Sequence, residues 1–276
     1  MKEFIDASIF LRMYSENEKN LSGLIPPLVT PINSKDNVCE QSVKKLINFV
    51  LPYSSALMPC LSSGEGWALN DKQWEDMIKF TKKYSSCLPV IAGIESKTTS
   101  EVVKKAKKAK KLEVDAIVIT TPFEKNISQK KIYTHFKQIE KIGMPIFIYN
   151  EEAISGNVIE LNTIKKICKL GNIIGIKEAS GSVAFTKALI DLKLNIPIFQ
   201  GWEHLCYATI GVEGYILPLL NLEPELCLEM LKNPTQSNQD KIDSICKKYN
   251  LLNNDWYVSL KKELHKRGII STARVI

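Results

Sequence analysis

Short apolar runs rich in β-branched residues alternate along the chain with segments of helical periodicity. Eight of these runs are predicted strands, at residues 24–30, 56–60, 89–94, 116–121, 145–150, 173–179, 197–201 and 214–219. Because a helical segment follows each run, the pattern predicts a parallel sheet with helices packed against it. Eight such units with short connections are typical of a (β/α)8 TIM barrel, an α/β fold. An open doubly wound sheet is the alternative, although no G-x-G-x-x-G follows the first run.

Polar residues mark where several of the helices begin. Thr98 is followed three positions later by Glu101, which is the pattern of a capping box. Asn70 precedes the helical segment that carries Trp74 and is predicted to cap it.

The same pattern divides the chain into three parts. Residues 23–222 hold the predicted barrel, and residues 223–276 hold further helical stretches that form a C-terminal appendage. Residues 1–22 mix apolar and charged positions without the uninterrupted apolar run of a signal peptide. They are predicted to be an N-terminal extension with a short amphipathic helix, and a loose tail is the alternative.

Composition narrows the class of protein. The chain has 276 residues, of which 45% are hydrophobic, and a net charge of +7. Its lysines are spread over helical faces, as in residues 104–111, without the arginine and aromatic pattern of a nucleic-acid surface. No apolar run is long enough to span a membrane. We therefore expect no nucleic-acid or membrane partner, and a modest positive field that suits an anionic substrate.

The cysteines and histidines indicate neither disulfides nor a metal centre. Seven cysteines occur at wide spacing without a C-x-x-C, which predicts reduced thiols and a cytoplasmic location. The three histidines lie far apart and lack metal-ligand spacing. We expect neither a metal nor another cofactor.

Lys177 is the most informative residue because it interrupts an otherwise apolar predicted strand, residues 173–179. A buried, unpaired ammonium group is costly, and burial lowers a lysine's pKa, which frees the amine as a nucleophile towards carbonyl carbons. The alternative is a lysine at the strand's end that reaches water or pairs with Glu178.

Other reactive side chains follow the predicted strands, where barrels of this kind place their sites. Ser62 and Ser63 follow the second strand beside glycines and are candidate binders of a carboxylate, although an ordinary turn is the alternative. Tyr149, near the end of the fifth strand, is a candidate for proton transfer, and a core tyrosine is the alternative.

The last two strands add candidate substrate contacts. Gly201, Glu203 and His204 follow the seventh strand and could face a hydroxylated substrate, although Glu203 could instead stabilise a helix N-terminus. Ile216 on the eighth strand is a further candidate contact. Hydroxyls, a phenol and a lysine in this order match class I aldolase chemistry, in which a lysine forms a Schiff base with a 2-oxo acid.

From about residue 23 to residue 274 the sequence resembles the dihydrodipicolinate synthase / N-acetylneuraminate lyase family. The resemblance is carried by residues 23–31 (GLIPPLVTP), 62–65 (SSGE), 89–93 (PVIAG), 121–123 (TPF), 149–150 (YN), 175–180 (GIKEAS) and 211–214 (GVEG), with Asn221 and Pro224. It implies a (β/α)8 barrel, pyruvate as substrate or product, and usually a homotetramer, with a dimer as the alternative. It also implies Lys177 as the Schiff-base lysine, Tyr149 as the proton-transfer residue, and Ser62 and Ser63 as carboxylate binders.

Departures from the family pattern bear on the substrate. Synthases carry an arginine for the second substrate's carboxylate where this chain has Ile154. Residues 153–156 resemble the Ala-Leu-Ser-Gly stretch of the sialic-acid lyases, and residues 201–204 resemble their strand end except at His204. Together these features favour cleavage or formation of a sugar-like 2-oxo acid. A lysine-pathway synthase with altered carboxylate binding is the alternative.

Three further departures from the family pattern bear on whether the chain is catalytically active. Glu124 replaces a second aromatic hydroxyl that in the family reaches across a subunit interface into the proton relay, and Glu152 replaces a common proline. Leu61 replaces the glycine that opens the serine turn. Glu124 is therefore a candidate relay or substrate contact. A non-catalytic relative that binds a 2-oxo acid is a third interpretation.

Overall fold

Parallel strands form one curved sheet in the computed structural model, which describes residues 21–276. The strands are β1 (Gly23–Leu24), β2 (Ile91–Ile94), β3 (Ala116–Ile119), β4 (Ile146–Glu151), β5 (Ile173–Ala179), β6 (Ile198–Gln200) and β7 (Gly214–Tyr215). Their order across the sheet is β1-β7-β6-β5-β4-β3-β2, and every neighbouring pair is parallel. The predicted N-terminal helix falls almost wholly on residues 1–20 and lies outside the described residues.

Residues 56–60 close this sheet into a barrel by bridging β1 to β2. Met58 N donates to Pro26 O (3.1 Å), and Ile91 N donates to Leu57 O (2.9 Å). The predicted second strand is thus present as isolated parallel bridges and not as a regular strand. Prolines at positions 26, 27, 59 and 89 explain this, because they supply no N–H to a ladder. The predicted (β/α)8 barrel is confirmed.

Helices follow the strands on the outside of the barrel. They are α1 (Glu40–Val50), α2 (Asp71–Tyr84), α3 (Thr99–Lys111), α4 (Gln129–Glu140), α5 (Glu152–Ser155), α6 (Leu161–Ile167) and α7 (Val183–Asp191). Asn70 forms a capping box at the start of α2, and Thr98 forms one with Glu101 at the start of α3, as predicted. In the described part of the chain, no helix combines the length and apolar character needed to cross a membrane.

Three helices follow the barrel in the described chain. They are α8 (Pro224–Lys232), α9 (Gln236–Lys248) and α10 (Trp256–Lys266). The last predicted strand was too long, because β7 ends at Tyr215 and residues Pro218–Asn221 form a 3₁₀ turn that begins with a proline. The side chain of Asn221 fastens this turn to the first strand region, accepting from Val29 N (3.1 Å) and donating to Pro27 O (3.0 Å).

Apolar side chains are buried in two layers. The larger layer lies between the sheet and the surrounding helices. The smaller layer fills the barrel, with members Ile25, Ala56, Met58, Leu61, Ile91, Ala116, Val118, Phe147, Tyr149, Ile174, Ala179, Phe199 and Ile216. Because side chains alternate along a strand, polar residues at inward positions near the strands' carboxyl ends share one interior space. All seven cysteines carry free thiols.

Candidate active site

An irregularity in β5 decides which of its side chains enters the barrel. The pairing of β4 with β5 shifts by one residue just before the pair Phe147–Gly175. Gly175 faces the interior, since an added Cβ would lie 2.4 Å from the ring of Phe147. Beyond such a bulge the alternation is displaced by one position, so Lys177 points inward and Glu178 outward.

Lys177 is buried without an ion-pair partner. Its side chain is 3% exposed, and no carboxylate among the described residues lies within salt-bridge distance of Nζ. Glu178 is occupied elsewhere, since it accepts from Asn150 Nδ2 (2.8 Å) and Ser180 N (2.8 Å). The alternative of a lysine that reaches water or pairs with Glu178 is therefore wrong.

The surroundings of Lys177 make its amine easier to deprotonate. Burial lowers its pKa to about 8, against the opposing effect of the carboxylates Glu95, Glu151 and Glu203. An amine with such a pKa is mostly protonated at pH 7, but its neutral, nucleophilic fraction is far larger than that of an exposed lysine.

Tyr149 lies directly beside Lys177 on the neighbouring strand. The two residues are partners in the register of β4 and β5, and Lys177 Nζ lies 4.1 Å from the centre of the phenol ring. The hydroxyl of Tyr149 lies 3.4 Å from Ser62 Oγ. Burial raises the pKa of Tyr149 well above its ordinary value, so the phenol holds its proton at neutral pH.

Ser62 and Ser63 lie on a buried 3₁₀ turn, Ser62–Gly64, below the pocket. Ser62 Oγ donates to Glu95 Oε1 at 2.5 Å, whereas Ser63 Oγ makes no hydrogen bond with any residue between 21 and 276. Glu65 directly follows this turn, and its carboxylate pairs with the buried Lys261 of α10. The ion pair fixes the turn against α10.

Glu95 is a member of the site that sequence reasoning missed. It directly follows β2 and is 2% exposed, and burial raises its pKa to about 7. Its Oε1 accepts from Ser62, and its Oε2 has no hydrogen-bond partner among the described residues. Its position in the sequence could have indicated it as a site residue, because Glu95 is the first polar residue after a predicted strand.

Glu151 and Glu203 bring two more carboxylates towards Lys177. Both oxygens of Glu151 accept from Ile154 N (3.1 and 3.0 Å) and cap α5. Glu203 Oε1 accepts from Leu219 N (3.0 Å), and burial raises the pKa of Glu203 to about 7. Glu203 was predicted as a site residue, whereas Glu151, the last residue of β4, was missed.

These side chains line a cavity of about 90 Å³ at the carboxyl end of the barrel. It is bounded by Ser62, Ser63, Tyr149, Glu151, Ala153, Ile154, Lys177, Ala179, Gly201, Trp202, Glu203, Pro218, Leu251–Asn254 and Trp256. Gly201 leaves room for the lysine, since an added Cβ would lie 3.2 Å from Lys177 Cε. A larger cavity of about 690 Å³ adjoins it and is lined by Glu95 and Ile154, among others.

Three predicted site residues lie outside the smaller cavity. His204 is exposed and its ring contacts that of Trp202, and Ile216 is fully buried in the inner core. Glu124 is exposed and forms an ion pair with Lys131 at 2.5 Å. Its predicted relay role across a subunit interface stays a prediction, as do the substrate contacts of the other two.

Residues 20–274 match the pattern of the Dihydrodipicolinate synthetase family. The chain belongs to this family. It is 31% identical to a 4-hydroxy-tetrahydrodipicolinate synthase of Caldicellulosiruptor saccharolyticus, over 72% of this chain and 69% of the relative. It is 28% identical to the Pseudomonas putida enzyme of that name, over 86% and 83% of the two chains.

Solved structures of the family share the fold. Dihydrodipicolinate synthase of Acinetobacter baumannii, in a complex with pyruvate, superimposes with a TM-score of 0.84 at 26% identity, covering 93% of this chain and 92% of that one. As a member of the Dihydrodipicolinate synthetase family, the chain is a carbon–carbon lyase of the class I pyruvate aldolase type. The names of its relatives support the synthase interpretation better than the sialic-acid lyase interpretation.

Proposed function

We propose that this chain binds pyruvate as a Schiff base on Lys177 and joins the resulting enamine to an aldehyde, as a 4-hydroxy-tetrahydrodipicolinate synthase does. The observation that carries the proposal is a buried amine without an ion-pair partner among the described residues, held next to a phenol. The shared name of the relatives supports the direction of condensation.

The first steps follow from the positions of the side chains. The neutral Nζ of Lys177 attacks C2 of pyruvate to give a carbinolamine. The carbinolamine loses its hydroxyl as water when Tyr149 supplies a proton, and the C–N bond becomes an iminium double bond. The proton that C3 then loses returns to Tyr149 and leaves an enamine. C3 of the enamine attacks the carbonyl carbon of the aldehyde, whose oxygen takes up that proton. Hydrolysis of the new iminium releases the product and restores Lys177.

The carboxylate of pyruvate needs donors close to the lysine. The hydroxyl of Ser63 is the better candidate, because it has no hydrogen-bond partner in the described part of the chain. The hydroxyl proton of Ser62 is already directed to Glu95. Since a serine hydroxyl has one proton, Ser62 contacts the carboxylate only if that bond is given up.

A second candidate is cleavage of a hydroxylated 2-oxo acid to pyruvate and an aldehyde. Ile154 lines the cavity where a synthase would hold a carboxylate with arginine, and Lys177 is the one cation among the described lining residues. Glu151 and Glu203 add negative charge to the same wall. These features suit a neutral, hydroxylated group better than a second carboxylate.

The decisive experiment compares both activities on one preparation. Condensation of pyruvate with aspartate semialdehyde and cleavage of N-acetylneuraminate are each measured as kcat/KM. Faster condensation supports the synthase proposal, and faster cleavage supports the second candidate. If neither is detected while pyruvate and borohydride still label Lys177, the aldolase assignment survives and both substrate proposals fail. Absence of labelling would contradict the Schiff-base proposal.

The variant Ile154→Arg tests the carboxylate argument directly. A paired carboxylate is favoured over an unpaired one by about 1–3 kcal/mol, roughly a ten- to hundredfold effect. Ile154→Arg is expected to improve condensation with aspartate semialdehyde by about that factor, and Ile154→Leu serves as the matched control. No improvement would show that the wild-type pocket already holds that carboxylate in another way.

A further inference from the structure

Three side chains within hydrogen-bond distance of one another lead from the reacting centre into the protein. Tyr149 OH lies 3.4 Å from Ser62 Oγ, and Ser62 Oγ lies 2.5 Å from Glu95 Oε1. Because the single hydroxyl proton of Ser62 is donated to Glu95, Tyr149 is the donor to Ser62 in this arrangement. It is the arrangement of ionised Glu95, which the three groups reach after a proton has left them. When Glu95 is protonated it donates to Ser62, both hydrogen bonds reverse, and the phenol proton of Tyr149 is free to leave.

We propose that Glu95 is the inner terminus of this relay and supplies, through Ser62, the proton that Tyr149 gives to the departing hydroxyl of the carbinolamine. This inference rests on the proposed Schiff-base function. Glu95 acts on the reacting atoms through two other side chains and is therefore a positioning residue.

The proton balance of the step is complete. Tyr149 gives its proton to the leaving hydroxyl, which departs as water while the C–N double bond forms. Ser62 passes its proton to Tyr149, and Glu95 passes its proton to Ser62. Glu95 ends as a carboxylate, and it recovers a proton before the next turnover. No oxidant, metal or further reactant takes part.

The local packing favours this role for Glu95. Gly66 leaves space for the carboxyl group, because a Cβ at that position would lie 2.8 Å from Glu95 Oε2. Oε2 has no hydrogen-bond partner among residues 21–276, so neither protonation state is fixed by a second donor. Glu95 also lines the larger cavity of about 690 Å³, through which water can exchange protons with it.

The charged groups around Glu95 leave it able to titrate near neutral pH. Burial, together with the nearby carboxylate of Glu151, raises its pKa to about 7. Lys177 on β5 and Lys105 on α3 oppose this effect, as does the hydrogen bond from Ser62. The thiol of Cys60 also faces Glu95, but burial raises its pKa far above neutrality, so it stays uncharged.

The relay through Glu95 also takes the place of the second aromatic hydroxyl that the family pattern supplies. Glu124 stands at that position in the sequence and is paired with Lys131 at the surface of this chain. Glu95 instead reaches the relay from within the same barrel. The relay of one chain is then complete without a group from a neighbouring subunit.

The test measures how fast pyruvate and borohydride label the protein between pH 6 and 9. In the wild type, labelling requires neutral Lys177 together with protonated Glu95, which gives a bell-shaped profile. Glu95→Gln keeps an acceptor oxygen for Ser62 but cannot carry the proton. We expect it to lower the maximal rate by about 10- to 100-fold and to remove the fall at high pH.

Further variants separate proton transfer from structure and charge. Glu95→Asp should restore part of the rate and the falling limb. Glu101→Gln is the matched control, because it removes a carboxylate from the same larger cavity while its amide can keep the cap of α3. Ser62→Ala combined with Glu95→Gln should be no slower than either change alone, since both break one path. Thermal unfolding of each variant identifies any that misfold.

The outcomes are distinguishable. A bell-shaped wild-type profile whose high-pH fall survives in Glu95→Gln would overturn the relay and leave the Schiff-base function intact. An additive loss in the double variant would do the same. Absence of labelling in the wild type at every pH would instead overturn the proposed function itself.

Discussion

Lys177 and Lys261 are both buried, yet only Lys261 forms an ion pair with a carboxylate among the described residues. Lys261 lies on α10 and pairs directly with the buried carboxylate of Glu65. Lys177 lies on β5 and faces a phenol ring, with no ion pair to any described residue. Burial lowers the pKa of both amines, but the hydrogen bond from Lys261 to Glu65 opposes that effect. The comparison favours Lys177 as the nucleophile, because its nearest carboxylates, Glu95, Glu151 and Glu203, do not form an ion pair with it.

The largest expected effect is that of removing the free amine. Lys177→Met should abolish the borohydride-trapped pyruvate adduct and all turnover, because no other lysine among the described residues lines the smaller cavity. Mass spectrometry of the treated protein measures the adduct. An undiminished adduct in this variant would place the nucleophile elsewhere.

The corresponding change at the paired lysine should affect stability. Lys261→Met leaves Glu65 buried without its cation, which typically costs about 3–5 kcal/mol of unfolding free energy. The double variant Lys261→Met/Glu65→Gln should recover part of the loss. Urea denaturation checks both, and folded Lys261→Met should still form the pyruvate adduct. Loss of the adduct in folded Lys261→Met would contradict a purely structural role for Lys261.

Tyr149→Phe removes the proton donor beside the free amine. Turnover should fall by roughly 10²–10³-fold, the usual loss when general acid–base catalysis is removed, while trapping stays detectable. Steady-state kinetics and trapping on the same sample measure the two effects. Turnover at the wild-type rate would make Tyr149 a core residue without a role in proton transfer.

The smallest expected effect is a pH dependence of stability. The pKa of Lys177 is about 8 in the folded protein and near 10.5 when exposed to water. Between these values the unfolded chain binds the proton more strongly, so unfolding free energy should rise with pH relative to Lys177→Met. Urea denaturation at pH 7.5, 8.5 and 9.5 measures this difference. A constant difference would mean that the lysine is solvated in the folded state.

The sequence predicted those parts of the site that combine an unusual residue with a regular pattern. Lys177 is recognisable because it interrupts an apolar strand, Tyr149 because it lies near the end of one, and Ser62 because it follows one. Glu95 was missed because it opens a polar stretch that looks like an exposed loop, and burial depends on how the turn at Gly66 packs over it. The exposure of His204 depends on a short 3₁₀ turn that leaves no periodic signal.

The fold was easier to predict than the details of its strands. Helix caps such as those at Asn70 and Thr98 are local features, so they can be read directly from neighbouring residues. The bulge before Gly175 depends on pairing with a different strand, and no local pattern indicates it. It is nevertheless the feature that turns Lys177, and not Glu178, into the barrel.

The closure of the barrel also bears on how the protein folds. The hydrogen bond from Val29 to Asn221 joins residues 192 positions apart, so the edge of β1 stays open until most of the chain exists. An open edge invites pairing with other chains during synthesis. Pro27 faces that edge together with Gly23 and Ile25, and it offers no N–H group to an incoming strand. A proline that interrupts the finished ladder thus also makes the unfinished edge a poorer template for aggregation.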